Sequence, residues 1–91
     1  MILETALGPA HPEVATILTN LALLYQDQGQ YAAAEPLYKR ALAIEEKALG
    51  PDHPEVATTL NNLASLYRAT KRVKQAEVLE QRAKTIMVIK R

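Results

Sequence analysis

Hydrophobic residues recur along the chain at the spacing of one helix face. In the first such stretch they stand at steps of four, three and four, at Val14, Leu18, Leu21 and Tyr25. This spacing indicates an amphipathic helix. Pro12 and Pro54 suit the first position of a helix, and Gly29 and Gly50 suit a helix end. The pattern predicts four helices, at about 12–28, 31–49, 54–70 and 73–90, and no strands.

The helical pattern occurs twice in the chain, 42 residues apart. Residues 7–16 read LGPAHPEVAT, and residues 49–58 read LGPDHPEVAT. A fixed period of roughly 20–50 residues is typical of stacked repeats. We therefore expect one unit over residues 9–50 and a second over 51–91. Residues 1–8 match the end of the first unit's second helix, so we expect them to be the tail of a preceding repeat.

The first unit carries a distinctive set of small and aromatic residues, namely Asn20-Leu21-Ala22-x-x-Tyr25, Gly29-x-Tyr31-x-x-Ala34 and Tyr38-x-x-Ala41-Leu42. This set resembles the tetratricopeptide repeat, whose usual unit has about 34 residues. The longer unit seen here is similar to the repeats of kinesin light chain. The resemblance implies an all-α, right-handed solenoid of helix-turn-helix units. It also implies a scaffold that binds a peptide or protein in a concave groove.

In such arrays the first helix of each unit lines the groove. The resemblance therefore places the candidate binding residues on the first and third helices: Thr16, Thr19, Asn20, Leu23, Asp27, Thr58, Asn61, Asn62, Ser65 and Arg68. Asn20 and Asn62 occupy equivalent positions, and an asparagine amide can both donate to and accept from a peptide backbone. Alternatively, the two asparagines form hydrogen bonds between neighbouring units.

Charge is distributed unevenly along the chain. Residues 1–45 carry two basic and five acidic side chains, whereas residues 46–91 carry nine basic and five acidic ones. Arg68 is the cation on the groove side, so an acidic ligand would suit that end. A solvated helix face is the simpler interpretation. Nucleic-acid binding by the basic half is a remote alternative, because no aromatic residues are interleaved with the basic ones.

The last helix ends in an apolar run where the first unit has charges: Ile86, Met87, Val88 and Ile89. We expect these four residues to pack against another chain, although they could instead fold onto their own unit or fray. Stacked repeats of this kind need about three units for stability. Self-association into a homo-oligomer, or origin in a longer array, is therefore the alternative interpretation of the chain's role.

Few residues of the chain suggest a catalytic or metal-binding site. It has no cysteine, one serine and two histidines. The histidines, His11 and His53, stand at equivalent places in the two connectors, which are the Leu-Gly-Pro-x-His-Pro segments before the first and third helices. These histidines are expected to have a structural role, such as capping the following helix or packing in the turn, rather than to bind metal. We predict no catalysis, no metal and no cofactor. With no membrane span or signal peptide apparent, a cytoplasmic location is expected.

Overall fold

A computed structural model describes residues 11–89, and the expected all-α fold is confirmed in that range. Four helices follow one another: α1 Pro12–Asp27, α2 Tyr31–Leu49, α3 Pro54–Ala69 and α4 Val73–Ile89. The expected helical tail at residues 1–8 lies outside the described residues. Within 11–89, no helix has the length and apolar character that crossing a bilayer requires.

Both connectors start the following helix in the same way. The Nδ1 atom of His11 accepts a hydrogen bond from the backbone N–H of Glu13 at 3.1 Å, and His53 does the same for Glu55 at 3.1 Å. Each bond satisfies one of the backbone donors that a helix leaves unpaired at its start. Of the two structural roles expected of these histidines, capping is the one that the hydrogen bonds show.

The turns inside the two units share one backbone conformation but not one residue type. Gly29 ends α1 with a φ of 77°, and Lys71, at the equivalent position after α3, has a φ of 65°. In both turns the next N–H bonds back into the helix, from Gln30 to the Tyr25 carbonyl at 2.8 Å and from Arg72 to that of Tyr67 at 2.7 Å. A lysine in this left-handed region is strained, because its Cβ crowds the backbone.

Replacing Lys71 with glycine should therefore stabilise the protein. Relief of the left-handed strain outweighs the extra freedom of glycine in the unfolded chain. We therefore expect the free energy of unfolding to rise by about 0.5–1 kcal/mol. Urea denaturation followed by circular dichroism measures the change. Lys84→Gly, at an exposed position inside α4, is the matched control and should cost about 1 kcal/mol. A destabilised Lys71→Gly variant would mean that the lysine side chain contributes more than its backbone strain costs.

The helices pack in pairs within each unit, and α2 then packs against α3 between the units. One cluster lies within the first unit and one within the second, the latter built from Val56, Ala57, Leu60, Ala83 and Ile86. The largest joins the units: Ala22, Ala34, Tyr38, Leu63, Ala64, Leu66, Tyr67 and Ala76. Alanines at the contacts let helix axes approach closely. The Cα extents of 37 × 33 × 15 Å correspond to a slab two helices thick.

The apolar end of α4 divides into two parts. Ile86 is buried in the core of its own unit, against the cluster around Leu60. It is therefore not available for the self-association expected of it, because its position on α4 turns it towards α3. Met87, Val88 and Ile89 are exposed. The candidate self-association surface is reduced to these three residues.

Candidate functional site

A bridging glutamine ties the two predicted groove helices to each other and to α2. The Gln26 amide nitrogen donates to the Ser65 hydroxyl at 3.3 Å, so α1 contacts α3 directly. The Gln26 carbonyl oxygen accepts from the hydroxyl of buried Tyr38 on α2, at 2.8 Å. Gln26 was not among the predicted site residues. Its position in the polar run before Gly29 marked it only as part of a helix end.

A pocket of about 170 Å³ lies where the two units meet, and three helices line it. Its lining residues are Thr16, Thr19 and Asn20 from α1, Glu45 from α2, and Glu55, Thr58 and Thr59 from α3. Four of the ten predicted groove residues are thus brought together, namely Thr16, Thr19, Asn20 and Thr58. The other six lie on α1 and α3 outside the pocket lining: Leu23, Asp27, Asn61, Asn62, Ser65 and Arg68.

Glu45 is the buried one of the two acidic residues that line this pocket, and it is only 4% exposed. One carboxylate oxygen accepts a hydrogen bond from the Thr59 hydroxyl at 2.5 Å. Burial raises the pKa of Glu45; the Thr59 bond opposes this rise, and the negative charge of Glu55 adds to it. Glu45 was not among the predicted site residues. Its counterpart in the second unit, Met87, is exposed, so the repeat gave no signal that Glu45 is buried.

The Thr19 hydroxyl is a second unusual feature of the pocket wall. Among residues 11–89, it is a buried side-chain oxygen without a hydrogen-bond partner. An unpaired buried hydroxyl costs free energy unless a partner reaches it. Together with the Glu45 carboxyl group, it gives this end of the groove unused hydrogen-bonding capacity.

The two equivalent asparagines, Asn20 and Asn62, have amide groups that the described fold does not use. Within residues 11–89, neither the Asn20 nor the Asn62 side chain makes a hydrogen bond or an ion pair. Asn20 is exposed and Asn62 is partly buried. Hydrogen bonding between the units, which was the alternative role for these residues, is therefore absent in the described part of the chain.

Arg68 is already paired. Its guanidinium donates two hydrogen bonds to Glu80 on α4, at 2.7 and 2.6 Å. This pairing raises the pKa of Arg68 and lowers that of Glu80. A bidentate arginine–carboxylate pair leaves less of the charge for a ligand. The basic end of the groove is therefore more nearly neutral than the sequence suggested.

A network around Glu35 fixes α2 against α3. The Glu35 carboxylate accepts two hydrogen bonds from Arg72 and one from the Tyr67 hydroxyl at 3.2 Å, and it pairs with Lys39 at 3.0 Å. The Arg72 guanidinium also lies 4.2 Å from the centre of the Tyr67 ring. The hydrogen bond to Arg72, and to a smaller extent the contact with Lys39, outweigh the opposing effect of burial and lower the pKa of Glu35 to about 2. Arg82 and Glu46 form a further ion pair between the units.

Comparisons with known proteins agree with this architecture. A family model described as tetratricopeptide repeat matches the chain twice, over residues 2–47 and 13–87. A search of curated proteins gives no match. Within residues 11–89, no group of three or more histidine, cysteine or acidic side chains could hold a metal ion.

Proposed function

Because the chain belongs to the tetratricopeptide-repeat family, we propose that it is a non-catalytic scaffold that binds a peptide or partner protein along α1 and α3. Repeats of this family generally mediate protein–protein interactions. The 42-residue unit with its His-Pro connector favours the kinesin-light-chain-like type of repeat. The ligand lies across the equivalent faces of the two units.

The free amides of Asn20 and Asn62 carry this proposal. They lie at equivalent positions of neighbouring units, and neither amide is used within the described fold. An extended peptide offers one N–H and one C=O per residue, which an asparagine side chain can pair with whatever the peptide sequence. Two amides one repeat apart would hold the peptide backbone at two points.

The pocket beside Asn20 adds a preference for one kind of ligand side chain. Its acidic members, Glu45 and Glu55, accept hydrogen bonds and repel anions. We propose that a donor group of the ligand, such as an ammonium or a hydroxyl, enters there. An acidic ligand residue at the other end of the groove would have to compete with Glu80 for Arg68.

The double variant Asn20→Ala and Asn62→Ala tests the groove. Screening the native protein against an array of ten-residue peptides of acidic, basic and apolar composition identifies a binding peptide, whose affinity is then measured by fluorescence anisotropy. Two lost hydrogen bonds of about 1 kcal/mol each should weaken binding about thirtyfold. The protein should not become less stable, because neither amide has a partner within residues 11–89 and alanine favours a helix more than asparagine does.

Gln75→Ala with Gln81→Ala is the matched control. It removes two exposed carboxamides from α4, which is outside the proposed groove. This control should bind the selected peptide as the native protein does. Equal affinity of the asparagine variant and the native protein would rule out the groove assignment.

Self-association is a second candidate function, favoured by the exposure of Met87, Val88 and Ile89 at the end of α4. Three adjacent exposed apolar side chains are a common feature of interaction surfaces. Nucleic-acid binding has less support, since Arg68 and Arg72 of the basic half are both paired with glutamates.

A further inference from the structure

Glu45 is an unusual residue for the contact between two stacked units. It is 4% exposed, and within residues 11–89 its carboxylate has one hydrogen-bond partner, the Thr59 hydroxyl. No lysine or arginine of the described helices forms an ion pair with it. A buried carboxyl group without a cation costs stability, and an apolar residue of similar size would avoid that cost. Packing alone therefore does not account for a glutamate here.

The surroundings of Glu45 are also unfavourable to its negative charge. Burial is the main reason that the pKa of Glu45 is raised, and the charges of Glu55 and Glu46 add to the rise. The Thr59 hydrogen bond and the charge of His53 act in the opposite direction. A positive charge placed in the pocket would offset both the burial and the repulsion between carboxylates. It would thereby favour the charged form of Glu45.

The Thr19 hydroxyl is an independent feature of the same pocket. Its oxygen is buried and has no hydrogen-bond partner among residues 11–89. Thr19 lines the pocket from α1, Glu45 from α2 and Glu55 from α3. A lysine ammonium is a compact group with three donors and no acceptor, whereas the five donors of arginine lie in one plane. Acceptors that come from three different helices suit the ammonium better than the planar group.

The size and walls of the pocket suit the stem of a lysine side chain. Its volume of about 170 Å³ is about ten times the roughly 10–15 Å³ that one water molecule needs. Thr58 and Thr59 line it as well, and their methyl groups can pack against the methylenes of the stem. Asn20, which is proposed to hold the ligand backbone, lines the same pocket. A side chain that leaves the backbone beside Asn20 can therefore enter it.

We propose that this pocket selects a lysine side chain of the bound peptide, with the ammonium group held by Glu45, Glu55 and the Thr19 hydroxyl. The inference rests on the proposed binding of a peptide along α1 and α3, and it names the ligand residue that the groove recognises. Because the pocket lies beside Asn20, the lysine also fixes the position of the peptide along the groove.

The amide of a single lysine tests the pocket without a peptide. Nα-acetyl-lysine-N-methylamide carries the ammonium group but no free amino terminus, and the corresponding norleucine amide has an apolar stem without the ammonium. Titration of the isotope-labelled protein, followed by NMR, should shift the amide signals of Thr19 and Thr59 until they saturate. Charge-assisted hydrogen bonds should make the lysine amide bind about tenfold more tightly than the norleucine amide. The corresponding arginine amide should bind less tightly than the lysine amide.

Two variants assign this preference to the pocket. Glu45→Gln removes the charge and keeps an oxygen that can accept from Thr59, so the preference for lysine should fall to about threefold or less. Thr19→Val removes the unpaired hydroxyl and should weaken binding of the lysine amide about fivefold, with no change for norleucine. Glu77→Gln is the matched control, because Glu77 is exposed on α4 and lies outside the pocket. It should keep the full preference, and circular dichroism should show that all three variants are helical.

Equal binding of the lysine and norleucine amides by the native protein overturns the lysine pocket, whatever peptide the groove binds. A preference for lysine that persists in Glu45→Gln also overturns it, because the ammonium then binds elsewhere. An arginine amide that binds as tightly as the lysine amide overturns the choice of lysine. The variant of Asn20 and Asn62 reports on the groove separately. If it binds the selected peptide normally while the native protein prefers the lysine amide, the pocket stands and the groove assignment fails.

Discussion

Replacing Tyr38 with alanine is expected to unfold most of the protein. Tyr38 is fully buried in the cluster that joins the two units. Truncating a buried aromatic residue to alanine costs about 3–5 kcal/mol. That is about the entire stability available to a domain of this size. Thermal and urea denaturation followed by circular dichroism should show a large loss of helix at 25 °C.

Tyr38→Phe separates packing from hydrogen bonding. It keeps the ring and removes only the hydroxyl that donates to Gln26, so it should cost about 1 kcal/mol. Burial, with the charge of Asp27, raises the pKa of Tyr38 to about 12, so the hydroxyl remains a donor at neutral pH. If alanine costs no more than phenylalanine, the ring does not hold the units together.

The fold could be predicted because its determinants are local and repeated. Helical spacing, a proline at each helix start and a glycine at a helix end are all properties of neighbouring residues. The 42-residue period then predicted that the two units stack, since equivalent sequences are expected to pack in equivalent ways. A structural role for the histidines was predicted for the same reason, because His11 and His53 precede equivalent helices.

The side-chain partners could not be predicted, because they depend on distances between helices. α2 contacts α1 on one face and α3 on another. The spacing of hydrophobic residues along α2 indicated only the face that contacts α1. Glu45 therefore looked like part of a charged helix end, although it is buried in the second contact. The pairing of Arg68 with Glu80 joins α3 to α4 and has no signature in either helix alone. The groove assignments of Asn20 and Asn62 remain predictions.

Glu35→Gln should destabilise the protein at neutral pH by about 2 kcal/mol, because the carboxylate holds charged partners from both units. The fall of the Glu35 pKa from 4.5 to about 2 sets an upper limit of about 3 kcal/mol. Its side chain is 20% exposed, and solvent screening reduces the effect below that limit. Urea denaturation at pH 7 measures the difference.

The same substitution should matter less in acid. A carboxyl group whose pKa is lowered on folding stabilises the fold above its unfolded value of 4.5, and this stability is lost as the pH falls towards about 2. The difference between the native protein and Glu35→Gln should therefore shrink from pH 4.5 to pH 2. Comparing the two at each pH also removes the contribution of Glu45, whose raised pKa acts with the opposite sign.

Glu77→Gln provides the matched control, since Glu77 is the counterpart of Glu35 in the second unit and is exposed. It should change stability by less than about 0.5 kcal/mol. A cost for Glu35→Gln that is the same at every pH would mean that the charge of Glu35 is not what joins the units. If the cost does follow the pH, the charge of Glu35 stabilises the contact between the two units, and the stack that carries Asn20 and Asn62 depends on a carboxylate that contacts neither asparagine.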